Sequence, residues 1–286
     1  MRRATWLAFG AEHSKGLAMQ DPSHLTRPTT LADIRSEIDR IDTAMHALLI
    51  ERSAVIADLI AIKKVQPVQA GDDPARRTSA FRPAREASMM REIVERHTGS
   101  LPLDTVESIW RVIISTFTYV QAPYDVIYAR GGDGLSMRDV ARFHFGYTVP
   151  VLAVDEPAHV LETVGTRGDA LGVIPLSSEG AWWQALEDPN APNVIARLPF
   201  VERPDHPAGM PCLVVANAPI DREVMAATVL SVELPDGHDL PEGVDVLAQA
   251  GRNVLVSADS AEVLASVQTL SPEAVIVGSH APVFRA

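Results

Sequence analysis

The chain has 286 residues, 47% hydrophobic and 22% charged, which is enough apolar material for a core and argues against wholesale disorder. No apolar run approaches the roughly 20 residues that cross a bilayer, so no membrane association is expected. One cysteine, Cys212, excludes a disulfide framework and a cysteine-based metal site, and a formal charge of −12 has the wrong sign for broad nucleic-acid binding.

That charge is uneven. Residues 1–28 carry 4 basic and 2 acidic side chains, residues 29–123 carry 12 and 13, and residues 124–286 carry 9 and 22, giving +2, −1 and −13. The change of character near Gln121-Ala122-Pro123 places a domain boundary at 123. Residues 1–28 read as a flexible extension, with Met19 as an alternative start. Their apolar stretch, Ala4–Gly10, is marginal for a secretory signal and is broken by Glu12, His13 and Lys15, so a cytoplasmic protein is expected.

Thr29-Thr30-Leu31-Ala32-Asp33 reads as a helix start. Apolar residues then fall at Leu31, Ile34, Ile38, Ile41, Met45, Leu48, Val55, Leu59 and Ile62, alternating three and four apart as in a heptad seam. With Pro67 as the stop, the helix runs ~37 residues and ~55 Å. A seam that long cannot be buried within a small domain, so partner helices from a second chain are expected.

Arg52 falls on that seam. Either it pairs with a buried carboxylate or snorkels at the seam's edge, or it holds an anionic ligand inside a helical bundle. Lys63, one of only three lysines, lies 11 residues on, facing the same way ~16 Å along the axis. Arg35 lies 17 residues before Arg52, rotated by ~100° and ~25 Å away, so it is either a solvated surface charge or, if functional, part of another subunit's site. A second helix is expected from Pro83, carrying Arg85-Glu86, with Gly99 as its stop. A third follows Pro102 with Asp104 as cap and an apolar face of Val106, Ile109, Trp110, Ile113, Ile114, Phe117 and Val120. Gln121 lies one turn beyond Phe117.

Arg35, Arg52, Lys63, Arg85-Glu86 and Gln121, set on three helices of which the first is very long, together resemble the all-helical chorismate mutase family over residues 29–123. The family's spacings of 17 and 11 match Arg35, Arg52 and Lys63, its Arg-Glu pair matches Arg85 and Glu86, and its late Gln matches Gln121. The chain departs from the family in a longer loop from Val65 to Ala80, in Arg82 where Asp is frequent, and in Phe117 where some members place Ser. The resemblance implies an intertwined homodimer that rearranges chorismate to prephenate in one pericyclic step, without metal or cofactor. Arg52, Arg85 and the partner chain's Arg35 would bind the two carboxylates. Lys63 and Gln121 would stabilise the developing charge on the ether oxygen, and Glu86 would accept from the 4-hydroxyl.

Residues 124–286 alternate strands with helices, an α/β pattern. Gly131-Gly132-Asp133-Gly134 after the first strand is either a tight turn or an anion site at a helix N-terminus. The order of pieces, with Gly172-Val173-Ile174-Pro175-Leu176 before Ser177-Ser178-Glu179-Gly180, resembles the prephenate dehydratase domain, a two-lobed fold like periplasmic binding proteins. That family's Thr-Arg-Phe motif has no counterpart here. The expected architecture is therefore multi-domain: an all-α mutase-like domain followed by a degenerate dehydratase-like α/β domain, structural or regulatory, or else an unrelated α/β domain. The alternatives in function are a non-catalytic regulatory or binding subunit, and a lyase or mutase acting on isochorismate or aminodeoxychorismate.

Overall fold

A computed structural model describes residues 30–65, 81–131, 133–218 and 227–286, with backbone alone for residues 63–65. The expectations for residues 1–28, for the loop bearing Asp72, Asp73, Arg76 and Arg77, and for Gly132 lie outside the described residues.

Helix α1 runs Leu31–Val65 and stops two residues before Pro67, whose ring would clash with the preceding turn. Its start is a reciprocal cap. Thr30 Oγ1 accepts from the Asp33 amide at 3.1 Å, and Asp33 Oδ2 accepts from the Thr30 amide at 3.0 Å. Packing divides the chain inside this helix, into a unit ending at Val55 and a unit from Ile56 to Ala286. In the first unit the seam is open: Leu31 is 74% exposed, Leu48 and Val55 59% each, and Ile34, Ile38, Ile41 and Met45 are exposed with them.

The second unit is built on a nine-stranded mixed sheet. Its strands are β1 (Asp125–Ala129), β2 (Val151–Val154), β3 (Ala170–Pro175), β4 (Asn193–Leu198), β6 (Cys212–Ala216), β7 (Ala227–Glu233), β8 (Asp245–Ala250), β9 (Asn253–Ala258) and β10 (Val275–His280). The order is β2-β1-β3-β6-β4-β10-β7-β9-β8, with β5 (Val201–Glu202) and β11 (Phe284–Arg285) paired apart. Side chains alternate between the faces as strand geometry requires. Val126, Tyr128, Val173, Cys212 and Val214 join one core cluster. Ile127, Ala129, Ile174, Leu213 and Val215 join another. The first cluster is completed by helices α2 (Pro83–Arg96), α3 (Leu103–Gln121) and α4 (Gly134–Phe145), through Met90, Ile93, Ile114, Met137 and Phe145. The second takes α5 (Pro157–Thr166) and the 3-10 turn Trp182–Glu187, while α6 (Ala261–Leu270) caps β7 and β9 with Val267.

The structure departs from the sequence reading in several elements. Helix α2 ends at Arg96, three residues before Gly99, which bends the following turn at φ +101°. Asp104 lies inside the first turn of α3 rather than at its cap: the helix starts earlier, with Pro102 at the N-cap, and the Asp104 carboxylate pairs with Arg203. The buried residues of α3 are Glu107, Arg111, Ile114, Ser115 and Thr118, a mostly polar stripe beside the expected apolar face, while Ile109 and Val120 are exposed.

The glycine loop serves as a cap. Asp133 accepts from the Ser136 amide at 3.1 Å and so satisfies an N-terminal donor of α4. Gly278 fulfils a different need. It is where β10 meets β4, opposite Val194, and a Cβ there would stand 2.2 Å from the Val194 carbonyl oxygen. Only a residue without a side chain allows the two halves of the sheet to join. Gly278→Ala is therefore expected to lower the unfolding free energy by about 1–3 kcal/mol, read by chemical denaturation; an unchanged midpoint would contradict this packing.

Candidate active site

The cationic positions of α1 keep their expected spacing on one continuous helix. Arg35 is exposed and Arg52 half-buried in the first unit; Lys63 stands in the last turns, its side chain outside the described residues. Neighbouring Arg85 and Glu86 differ in burial in the second unit. Arg85 is exposed and lines a groove of about 220 Å³ with Ser88, Arg91, Ala281 and Pro282. Two guanidinium groups beside one groove suit a carboxylate.

Glu86 instead turns into the core, 4% exposed, where Arg111 Nη1 donates to its Oε2 at 2.8 Å. Arg111 is fully buried. Its Nη2 and Nε donate to the His144 carbonyl at 2.8 and 3.2 Å, and its guanidinium lies 4.8 Å from the Phe200 ring centre. That carbonyl belongs to the last turn of α4, one of the groups a helix leaves without an internal partner. Burial pushes the Glu86 carboxyl up from its ordinary range, and the charge and hydrogen bond of Arg111 oppose that shift. Tyr124 is pushed upward too, by burial and then by the charge of Glu86.

A second charged group fixes the start of α3. Glu107 is fully buried, accepts from Arg203 Nη2 at 2.8 Å and lies 3.0 Å from His206 Nε2. Arg203 also reaches Asp104. The His206 ring stacks on His144 at 6.1 Å. Neither ring nitrogen of buried His144 has a hydrogen-bond partner among the described residues. Burial, then the charges of Arg111 and His206, hold the His144 ring well below its ordinary pKa.

Gln121 ends α3, half-buried, its Nε2 donating to the Phe117 carbonyl at 3.0 Å. It stands ten residues beyond Arg111, ~15 Å along the helix, so the second unit alone does not bring Gln121 to Glu86. Sequence reasoning missed Arg111, Glu107 and Arg203. The available signal was the spacing of Asp104, Glu107 and Arg111, three and four apart on one face of a helix whose apolar residues lie beside it. A further buried polar pair satisfies itself. Ser257 Oγ lies 3.0 Å from His280 Nε2, while His280 Nδ1 lies 2.7 Å from the Ala281 carbonyl oxygen.

The order is one long helix with spaced cations, then two shorter helices bearing Arg-Glu and a terminal Gln. Residues 34–122 match the family model for chorismate mutase type II. Among curated proteins the chain is 31% identical over 156 residues to a bifunctional chorismate mutase/prephenate dehydratase of Pseudomonas aeruginosa, covering 53% of this chain and 40% of that protein. Proteins of the same description from Stutzerimonas stutzeri and Neisseria gonorrhoeae are 30% and 27% identical, with 53% and 54% of this chain and 40% and 39% of theirs covered. The chain thus spans about two-fifths of the length of the curated relatives it matches. Among solved structures, prephenate dehydratase from Streptococcus mutans aligns over 55% of this chain and 98% of its own, with a TM-score of 0.37 and 14% identity.

The neutral His144 carries a measurable consequence. In the unfolded chain a histidine takes up its proton near pH 6.5, whereas buried His144 does so only at much lower pH. The unfolded state therefore binds the extra proton first, and stability falls as pH drops below about 6.5, by up to about 1.4 kcal/mol per pH unit for this one group. His144→Phe should flatten the acid limb of unfolding free energy against pH. An identical limb in the variant would show that His144 titrates normally in the folded protein.

Proposed function

We propose that this chain is a chorismate mutase, rearranging chorismate to prephenate, with residues 29–123 supplying the chemistry. The observation that carries the proposal is the match of residues 34–122 to the chorismate mutase type II model, a segment that holds Arg35, Arg52, Lys63, Arg85, Glu86 and Gln121. The reaction is unimolecular, and it needs a site that binds a dicarboxylate in a compact conformer and stabilises charge as the ether bond breaks. Arg52, Arg85 and a second chain's Arg35 fit the carboxylates through two-pronged charge-assisted hydrogen bonds. Lys63 and Gln121 are the proposed catalytic groups, donating to the ether oxygen where negative charge grows. Glu86 accepts from the 4-hydroxyl and favours the reactive conformer.

The acting form is proposed to be a homodimer. The open seam of α1 supports this, since a row of exposed leucines, isoleucines and valines on a 35-residue helix is stable in water only when covered. The exposed Ile109 and Val120 of α3 are suited to the same kind of contact. We propose residues 124–286 as a dehydratase-like domain serving a structural or regulatory role, and a cytoplasmic location. Among the described residues no helix is long and apolar enough to cross a membrane.

One observation favours a second reading, a non-catalytic binding subunit: Glu86 is turned into the core of its own chain, 4% exposed. Turnover separates the two. The wild-type chain should convert chorismate to prephenate, and Arg35→Ala and Arg52→Ala should each abolish turnover. Mixed dimers of the two variants should regain part of it, because one of their two sites keeps both arginines. A wild-type chain without turnover would support the second reading. Full subunit exchange without recovery would exclude a site shared between chains.

A further inference from the structure

We propose that Arg111 is a positioning residue for the mutase site, holding the Glu86 carboxylate as a fixed, charged acceptor, and that the α/β half takes part because it anchors Arg111. The inference rests on the reading of Glu86 as the acceptor for the substrate's hydroxyl.

The geometry carries it. A guanidinium is a rigid planar fork. Two of its nitrogens, Nε and Nη2, are committed to one oxygen, the His144 carbonyl at the end of α4. The Phe200 ring lies against the plane. With those contacts made, Nη1 has little freedom, and it is Nη1 that meets Glu86 Oε2. The acidic half of the chain therefore sets where that carboxylate sits, through a backbone oxygen and a ring that carry no charge. Arg85, the next residue back on α2, follows the placement of that first turn.

Charge state depends on the same contact. The ionisable groups around Glu86 are Arg111 from α3, Tyr124 at the entry to β1, and, behind the guanidinium, His144 from α4 and His206 after β5. Tyr124 is neutral in its buried setting and His144 is held neutral, so neither replaces the cation. Without Arg111, desolvation alone acts on Glu86, and a buried carboxyl without a cation keeps its proton into the neutral range. A protonated carboxyl donates where the ionised one only accepts.

The test uses the full chain as wild type, Arg111→Met, Arg111→Lys and Glu86→Gln. Turnover of chorismate by Arg111→Met at neutral pH should fall about 10- to 100-fold and recover as pH is raised. Arg111→Lys should stay close to wild type in its pH profile, and Glu86→Gln should be low at every pH. A uniform loss in Arg111→Met, with the wild-type pH profile, would overturn the proposal. Difference infrared spectroscopy supplies a readout independent of turnover. Arg111→Met should show the carbonyl stretch of a buried protonated carboxyl at neutral pH, absent when Glu86→Gln is added. Absence of that band in a folded Arg111→Met protein would refute the pairing. If Arg111→Met fails to fold, Arg111→Lys decides: Glu86 must remain ionised in it, and a protonated-carboxyl band there would overturn the proposal. An inactive wild type would defeat the mutase reading, with the band still deciding what Arg111 does to Glu86.

Discussion

A buried guanidinium governs how this molecule is assembled. Taking a charge out of water costs several kcal/mol unless it is paired and its donors are satisfied. Arg111 is satisfied by three elements at once: the carboxylate of α2, the last turn of α4 and the ring of Phe200. Glu107, four residues earlier, repeats the arrangement with Arg203 and His206. Losing a charged partner strands its counterpart in the core, so α2, α3 and the segment after β5 are held to one arrangement. The composition of the chain changes at residue 123, but the packing does not pause there, since Met90, Ile93 and Ile114 share a core with Val126 and Val214.

This gives α3 two faces with different purposes. The polar stripe of Glu107, Arg111, Ser115 and Thr118 is turned into the second unit, while apolar Ile109 and Val120 remain open. An ordinary amphipathic helix buries the apolar side. In α3 the buried stripe is mostly polar, while Ile114 enters the core and Val106 and Trp110 pack against it. Directional bonds therefore add to apolar burial in fixing the helix within its own chain.

Elements with a local cause were legible in the sequence. The Thr30–Asp33 cap and Pro67 bracket α1, and its seam could be written down from spacing alone. Cys212–Ala216 and Ala261–Leu270 likewise have a local cause, since a continuous apolar run between breakers and a Ser260-capped amphipathic run leave few choices. Strand β8 was not legible. It is an edge strand carrying Asp245 and Gln249, held by its ladder to β9 rather than by a pattern of its own. The partner of Glu86, and what anchors that partner, were hidden for another reason. Arg111 lies 25 residues from Glu86, the His144 carbonyl that Arg111 donates to lies 33 residues further on, and nothing local marks a backbone oxygen as a ligand. The family resemblance pointed to Glu86, and only the tertiary structure shows what its carboxylate touches.

Buried ion pairs join α2 to α3, and α3 to the segment after β5, and these helices share a core with the sheet as one cooperative unit. Native-state hydrogen exchange on the full chain tests it most directly, because amides that open together share one free energy and one denaturant dependence. The account predicts that protected amides of α3 around Glu107 and Arg111 exchange through the same opening as those of β1 and β6. If α3 opens at distinctly lower free energy while β1 and β6 stay protected, the helices are an appendage to the sheet and the account is wrong.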